Sequence, residues 1–268
     1  MADAVPRGDG LGGRAILITR PASQCEALVR LVRAAGGEAV VFPTLEIVPV
    51  APSAEAVEVL QRLDSVDLAV FVSANAVACG MPMVAAAGGW PRAVRVAAVG
   101  LGTARVLREY GVATALAPAS GADSAALAAL PELQDVAGWQ VVIFRGVGGR
   151  ELLAQRLRER GAQVRYVECY RRAAPDTDPE PLRARLRART LGALTASSSQ
   201  GLTNLVRMAG TRAAPALLAL PLFVIHANIA DTAMRLGFRN VRVTDTSDAA
   251  LVRGMISYFA PSASAAGA

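Results

Sequence analysis

Hydrophobic positions along the chain follow two alternating periodicities. Ala15 to Thr19 and Ala39 to Phe42 are short apolar runs with the length of buried strands. Between them, apolar residues recur at helical spacing from Ala27 to Val32, and Gly36 stands where that helix should end. The same alternation continues along the chain. It predicts an α/β protein with parallel sheets and helical crossovers.

The first strand–helix–strand unit has a second copy later in the chain. The segment Gln140 to Tyr170 repeats it at one constant offset. The matched pairs are Arg20 with Arg145, Glu26 with Glu151, Leu28 with Leu153, Arg33 with Arg158 and Gly36 with Gly161. Three further pairs of segments resemble each other: FVSANAV and TASSSQG, AVGLGTA and VIHANIA, and SGADSAAL and DTSDAAL. Together these matches predict an internal duplication.

The order of the repeated segments predicts that one domain is inserted into the other. One set runs continuously through the middle of the chain, whereas the other opens at the N-terminus and resumes after residue 190. The predicted parts are an outer discontinuous domain (residues 12–48 and 176–260), an inserted domain (residues 52–170) and disordered tails (residues 1–11 and 261–268). Two proline-containing crossings would then form a hinge beside a cleft, where ligands commonly bind.

The basic residues narrow the chemistry that such a cleft could perform. The chain has no lysine, so all 28 basic residues are arginine and the formal net charge is +6. Schiff-base catalysis and a G-K-[ST] phosphate loop are therefore excluded. With His226 as the only histidine and no C-x-x-C pair, a metal site or a hydrolytic triad is not expected.

Arginine also indicates the kind of partner. Guanidinium groups bind carboxylates or phosphates bidentately, which suits a polyanionic ligand. A generally arginine-rich surface is the alternative. Aromatic residues make up only 4% of the chain and the arginines are scattered, so nucleic acid is not expected to bind.

Cysteine usage and hydropathy predict a soluble cytoplasmic protein. Cys25, Cys79 and Cys169 are odd in number and widely spaced, which favours a reducing compartment over a disulfide framework. A secretory signal is not expected, because no basic start precedes an apolar run. The most apolar stretch, Ala213 to Ala227, is interrupted by prolines and is too short to span a membrane.

Polar residues and glycines follow the apolar strands at the points where helices begin. In doubly wound sheets these positions lie outside the carboxyl ends of the strands, where helix N-termini offer free N–H groups to anions. Ordinary helix caps and turn glycines are the alternative interpretation. The predicted substrate-binding residues are Arg20, Ser73, Asn75, Gly100, Thr103, Arg145, Gly146, Gly149, Arg150, Ser197, Ser198, His226 and Asn228.

Tyr170 is the first candidate for chemistry. It ends an apolar strand beside the second crossing, so its ring can pack while its hydroxyl faces the expected cleft. A phenol stays protonated near neutrality and can donate a proton, although packing alone is the alternative role. His226 is interpreted as a capping or hydrogen-bonded side chain rather than a catalyst. The glycine clusters at Gly100 and Gly146 do not complete the nucleotide-binding pattern G-x-G-x-x-G.

In the joint order of its segments the chain resembles the uroporphyrinogen-III synthases. These segments are RAILITRPASQ, VVFPTLEI, FVSANAV, AVGLGTARVL, IFRGVGGRELLAQRLRERGAQVRYVECYRR and DAALVRGM. The resemblance covers about residues 14 to 258. It implies two similar flavodoxin-like domains with parallel sheets, joined by a two-stranded β linker.

The resemblance also implies a reaction. Hydroxymethylbilane loses water, ring D attacks the resulting azafulvene to give a spiro intermediate, and reclosure gives uroporphyrinogen III with ring D inverted. Neither a cofactor nor a metal is implied. By position, the tyrosine of the family's V-x-x-Y segment falls on Tyr170, the candidate acid for the departing hydroxyl, while Arg20, Arg145, Arg150 and the Ser/Thr loops would hold carboxylates. The segment VIHANIA departs from the family's G-x-x-T-A-like loop.

The expected partners are therefore hydroxymethylbilane and uroporphyrinogen III, with a transient contact to hydroxymethylbilane synthase. The protein is expected to act as a monomer, without nucleic acid or membrane. A non-enzymatic two-domain binder or sensor of a small polyanion is the alternative, because the same hinge and cleft would serve it.

Overall fold

The structure, a computed structural model, describes residues 8–91, 93–119 and 123–261. It divides into two compact units: unit 1 comprises Met1–Glu46 and Ala173–Ala268, and unit 2 comprises Ile47–Arg172. Within the described ranges, no helix combines the length and the apolar character needed to cross a membrane.

Strands and helices mostly alternate along the described chain, except that β3 follows β2 and α5 follows α4 directly. The strands are β1 (Ala15–Ile18), β2 (Glu38–Val41), β3 (Glu46–Pro49), β4 (Leu68–Phe71), β5 (Arg95–Ala98), β6 (Gln140–Gly146), β7 (Gln163–Ala173), β8 (Leu191–Ala196), β9 (Leu222–Val224) and β10 (Val241–Val243). The α-helices are α1 (Glu26–Ala34), α2 (Ala54–Gln61), α3 (Ala74–Ala86), α4 (Leu101–Glu109), α5 (Ser124–Ala128), α6 (Leu152–Glu159), α7 (Glu180–Ala188), α8 (Ser199–Leu218), α9 (Ala227–Arg235) and α10 (Asp248–Phe259).

Unit 1 contains a parallel sheet in the order β2-β1-β8-β9-β10. Taken in the unit's own strand order, this is the 2-1-3-4-5 arrangement of flavodoxin-like folds. The interior strand β1, which lies between β2 and β8, is buried throughout. Alternate β1 side chains enter two separate cores, with Ala15 and Leu17 on one face and Ile16 and Ile18 on the other.

Unit 2 repeats the same arrangement with a different chain order. Its sheet runs β3-β7-β6-β4-β5, and the pairs β4–β5, β4–β6 and β6–β7 are parallel. Strands β7, β6, β4 and β5 therefore take the places that β2, β1, β8 and β9 hold in unit 1. Helices α1 and α6 end at equivalent glycines, Gly36 and Gly161, whose φ angles are 77° and 85°. The predicted pair of similar flavodoxin-like folds is confirmed.

The chain passes between the units on two neighbouring strands. β3 leaves unit 1 and β7 returns to it, and these strands lie side by side in the unit 2 sheet. The Val50 N–H donates to the Cys169 carbonyl at 3.2 Å just beyond the end of β3. The two strands constitute the predicted β linker.

The prediction that residues 1–11 lie outside the fold is wrong for residues 8–11. Leu11 is 0% exposed and packs in the same core as Leu28, Val32 and Met255. Its N–H donates to the Ala35 carbonyl at 2.9 Å, which ties the segment to the end of α1. The single leucine had no apolar periodicity around it to predict this burial. Residues 1–7 and 262–268 of the predicted tails lie outside the described residues.

Replacing Leu11 by alanine should lower the free energy of unfolding by about 2–5 kcal/mol, because a fully buried side chain leaves a cavity. Urea unfolding followed by circular dichroism would measure the loss. Leu101→Ala is the matched control: Leu101 is 58% exposed, so its loss should stay within about 0.5 kcal/mol. Equal losses in the two variants would contradict the packing role of Leu11.

Candidate functional site

The predicted residues of unit 2 gather at one edge of its sheet. Ser73 follows β4 and caps α3, Gly100 follows β5 and occupies the cap position of α4, and Gly146 ends β6. Tyr170 lies on β7 as the register partner of Gly146. Because the strands are parallel, their carboxyl ends meet at this edge, and the first turns of α3 and α4 begin there.

Tyr170 is the most enclosed of these residues. Its side chain is 1% exposed, and its hydroxyl meets two protein groups instead of solvent. The Ser73 Oγ lies 3.2 Å from the Tyr170 Oη, and Arg172 Nη2 donates to the same oxygen at 3.2 Å. Ser73 also accepts the Ala76 N–H at 3.1 Å, so one hydroxyl both caps α3 and contacts the tyrosine.

Gly146 provides the space for the Tyr170 ring. A Cβ at position 146 would lie 2.8 Å from both Cε2 and Cζ of Tyr170. At Gly149, a Cβ would lie 3.1 Å from the Arg145 Cδ. Packing against the Tyr170 ring therefore accounts for Gly146 without invoking a ligand, whereas the contact at Gly149 is tight but is made to a flexible arginine side chain.

Arg145 is held inside the protein by two carboxylates and an aromatic ring. Its Nη1 lies 2.5 Å from a Glu151 oxygen and its Nη2 lies 3.1 Å from Glu168. Its guanidinium carbon stacks 3.6 Å from the centre of the Tyr166 ring. The Arg145 side chain is only 11% exposed. This cation is thus already neutralised, and its predicted role in holding substrate carboxylates competes with a structural one.

The pKa values in this cluster shift as the contacts require. The hydrogen bond from Arg145, and then that from Tyr166, lowers the pKa of Glu151. Burial alone would lower the pKa of Arg145, but its hydrogen bond to Glu151 and the nearby negative charges raise it. Burial first, and then the hydrogen bond to Glu151, raises the pKa of Tyr166. Every shift favours the ion pair and a neutral Tyr166.

Arg20, the residue of unit 1 that corresponds to Arg145, has an internal partner as well. Its Nη1 lies 2.5 Å from an Asp248 oxygen, with the two side chains 13% and 20% exposed. Asp248 begins α10, where a carboxylate also suits the helix dipole.

Arg150 differs from these two arginines. It is exposed, and its side chain has no ion-pair or hydrogen-bond partner within the part of the chain that the structure describes. It lies in the loop between β6 and α6, close after Gly149. Of the three predicted arginines, it is the one whose guanidinium remains available to a ligand.

The other predicted residues occupy helix starts as expected from the sequence. Asn75 is partly buried in the first turn of α3, and Thr103 is 8% exposed in the first turn of α4. In unit 1, Ser197 precedes Ser198, whose Oγ accepts the Gly201 N–H at 2.9 Å and caps α8. His226 stands at the cap position of α9, but its side chain makes no capping bond. Asn228 is exposed in the next turn.

Sequence reasoning missed the partners of the predicted residues. Asp248 is 228 positions from Arg20, so no local pattern connects them. Glu168 and Tyr166 are on β7, which pairs with the Arg145 strand, and pairing of the repeated strands could have suggested them. Arg172 had the clearest signal, because residues two apart on a strand share one face and it follows Tyr170 at that spacing.

Glu151→Gln should lower the free energy of unfolding near neutral pH, and the loss should shrink in acid. The pKa of Glu151 is lower in the folded than in the unfolded state, so its stabilisation is present above the unfolded value and disappears as the pH falls through the folded one. Because Glu151 is 56% exposed, solvent screening limits the effect to about 0.5–1 kcal/mol. Urea unfolding at neutral pH and near pH 3 would measure it.

The control is Glu26→Gln, at the corresponding position of unit 1. Glu26 is 92% exposed and lies 3.9 Å from Arg30, so its replacement should change stability by only a few tenths of a kcal/mol. A Glu151→Gln loss that stayed constant across the acid range would contradict the role of the ion pair.

Comparisons with known proteins agree with this architecture. A family model described as uroporphyrinogen-III synthase HemD matches residues 26–252. Uroporphyrinogen-III synthase from Salmonella typhimurium is 36% identical over 235 residues, which cover 87% of this chain and 96% of the relative. The Escherichia coli uroporphyrinogen-III synthase is 33% identical over 235 residues, with the same coverage of 87% and 96%.

Solved structures support the fold. A mutant uroporphyrinogen III synthase from Thermus thermophilus has a TM-score of 0.60 and 20% identity, covering 90% of this chain and 96% of its own. The uroporphyrinogen-III synthetase of Helicobacter pylori has a TM-score of 0.60 and 13% identity, covering 91% and 99%. From the family match and the bacterial relatives, this chain belongs to the uroporphyrinogen-III synthase family.

Proposed function

We propose that the protein converts hydroxymethylbilane to uroporphyrinogen III, a cyclising lyase reaction that inverts ring D through a spiro intermediate. The observation that carries this proposal is the family match over residues 26–252, together with relatives of the same name that align over nearly their whole length. The alternative, a non-enzymatic polyanion binder, is not favoured by any of these relatives.

The chemistry of the two sheet edges supports this proposal. Each unit presents helix N-termini at the carboxyl edge of its sheet, with Ser73 and Gly100 at the cap positions in unit 2 and Ser198 and His226 at those in unit 1. The N-terminal amides of these helices can donate to carboxylates. The substrate carries acetate and propionate groups on every pyrrole, so several such donors can hold it at once. Its flexible chain would thereby be folded for attack by ring D.

Two side chains have more specific proposed roles. Tyr170 supplies the proton for the departing hydroxyl of the substrate. Arg150 binds a substrate carboxylate, since its guanidinium is exposed while Arg20 and Arg145 are paired with Asp248 and with two glutamates. Because neither of those paired arginines is free, we assign them to holding their loops in place.

The cellular setting is proposed from the same reaction. The protein would act in the cytoplasm as a monomer, taking hydroxymethylbilane from the synthase that makes it through a transient contact. Units 1 and 2 would serve as the outer and inserted domains of the enzyme.

The product isomer tests the proposal directly. Hydroxymethylbilane left alone closes without inversion, so the purified protein should increase the type III isomer well above a protein-free reaction. The porphyrinogens would be oxidised and the two porphyrin isomers separated by chromatography. If fresh substrate gave only the type I isomer, the proposed function would be wrong.

Arg150→Gln should raise KM by roughly 10-fold with little change in kcat. It removes one charge-assisted hydrogen bond that is equally strong in the bound substrate and in the transition state. Initial rates across a range of hydroxymethylbilane concentrations would separate the two constants. Arg156→Gln, at another exposed arginine on α6, is the control and should leave both unchanged. An unchanged KM in the Arg150 variant would remove this residue from the binding site.

A further inference from the structure

Tyr170 is buried, whereas its hydrogen-bond partner Ser73 reaches the surface. A side chain that is 1% exposed has no direct route for its hydroxyl proton to a substrate outside. Ser73, which touches the Tyr170 oxygen at 3.2 Å, is partly exposed. The serine is therefore the outer group of the pair.

The donors and acceptors around Tyr170 and Ser73 indicate that the Tyr170 hydroxyl donates to the Ser73 oxygen. Arg172 carries only donors, so its bond to the Tyr170 oxygen uses a lone pair of that oxygen. The phenolic hydrogen is then free to point to Ser73, its other partner in the described structure. Ser73 Oγ already accepts the Ala76 N–H. If it also accepts from Tyr170, both of its lone pairs are occupied and its own hydrogen points away from them.

The duplication supplies an internal comparison. Ser198 is at the position of unit 1 that corresponds to Ser73, and it caps α8 in the same way. At the constant offset of the repeat, Tyr170 matches Leu45 of unit 1, and Arg172 matches Ile47, with which unit 2 begins. The capping serine is thus common to both copies, whereas the tyrosine and the arginine that meets it occur only in unit 2. The copy of the fold in unit 1 therefore forms without a tyrosine at this position.

We propose that Ser73 is the catalytic residue that hands a proton to the substrate, that Tyr170 replaces this proton from behind, and that Arg172 is a positioning residue for the Tyr170 hydroxyl. This inference rests on the proposed function and deepens it. It changes the route of the proton, from direct donation by Tyr170 to a relay through Ser73.

During loss of water, the relay moves one proton from Tyr170 through Ser73 to the departing hydroxyl group. The C–O bond of the hydroxymethyl group breaks, and its electron pair stays with the oxygen, which takes the Ser73 proton and departs as water. The lone pair of the attached pyrrole nitrogen is drawn into the ring, so that a C=N bond and an exocyclic C=C bond form and the substrate becomes an azafulvenium cation that keeps its N–H. Ser73 receives the Tyr170 proton in the same step, and the Tyr170 phenolate faces the Arg172 guanidinium. When the macrocycle closes, the proton released by the substrate returns along the same path.

Single and double variants of the relay test this inference, with the rate of uroporphyrinogen III formation as the readout. Ser73→Gly and Tyr170→Phe should each lower kcat by roughly 10-fold or more with little change in KM. The double variant should be no slower than the slower single variant, within about 2-fold, because both residues serve one proton path. Glycine is chosen because it costs a helix cap only a few tenths of a kcal/mol.

Matched controls separate the relay from capping. Ser53 caps α2 through the same kind of bond, accepting the Ala56 N–H at 3.2 Å, and Ser53→Gly should turn over normally. Ser73→Asn keeps a capping oxygen but has no hydroxyl, so it should be as slow as Ser73→Gly, whereas Ser73→Thr should retain most activity. If Ser73→Gly fails to fold, the comparison of Ser73→Asn with Ser73→Thr still tests whether the hydroxyl of residue 73 transfers the proton.

The positioning role of Arg172 can be tested separately. Arg172→Met should lower kcat, and Arg172→Lys should keep much more of the activity because it retains the positive charge. In a Tyr170→Phe background, Arg172→Met should cause no further loss of kcat. An equal loss in both backgrounds would overturn the positioning role.

The results also distinguish the relay from the reaction itself. Normal turnover by Ser73→Asn beside a slow Tyr170→Phe would show that Tyr170 donates directly, and the relay would be wrong. Losses that multiply in the double variant would refute it too. Failure of the unsubstituted protein to form the type III isomer would instead overturn the proposed function.

Discussion

Parallel pairing of short, fully buried strands is the constraint from which the rest of this structure follows. Strands such as β1 and β4 are apolar on both faces, so polar side chains can be placed only where the strands end. Parallel strands end at a common edge, and each is followed by a helix that brings its first-turn amides there. Glycine, serine and arginine accumulate at those ends in both units as a result.

Most of what could be predicted about the fold came from the internal sequence repeat. A constant offset between two strand–helix–strand segments specifies not only that the units are alike but also which strands correspond, and the order of the remaining segments reveals the insertion. Burial that depends on a single side chain was beyond this reasoning. Leu11 lies among glycines and is fixed by α1 and α10, which no local pattern could indicate.

The candidate site was predictable in position but only partly in role. Strand-end residues were correctly located because topology alone decides where they lie. Arg20 and Arg145 were interpreted as ligand contacts, since a sequence shows the cation and not its distant carboxylate. Arginine suits the internal role because its planar group can bond two carboxylates and stack on an aromatic ring, as Arg145 does. Tyr170 was predicted to reach outward, whereas Ser73 lies against its hydroxyl.

The insertion of unit 2 between the halves of unit 1 has a consequence for synthesis on the ribosome. Unit 2 is complete once Arg172 has been added, whereas β1 must wait for its neighbour β8, which begins at Leu191. Until then the nascent segment β1–α1–β2 presents an unpaired apolar strand edge, the kind of surface on which chains aggregate. The inserted part can therefore complete its sheet first, whereas the N-terminal segment keeps this apolar edge unpaired until β8 has been synthesised.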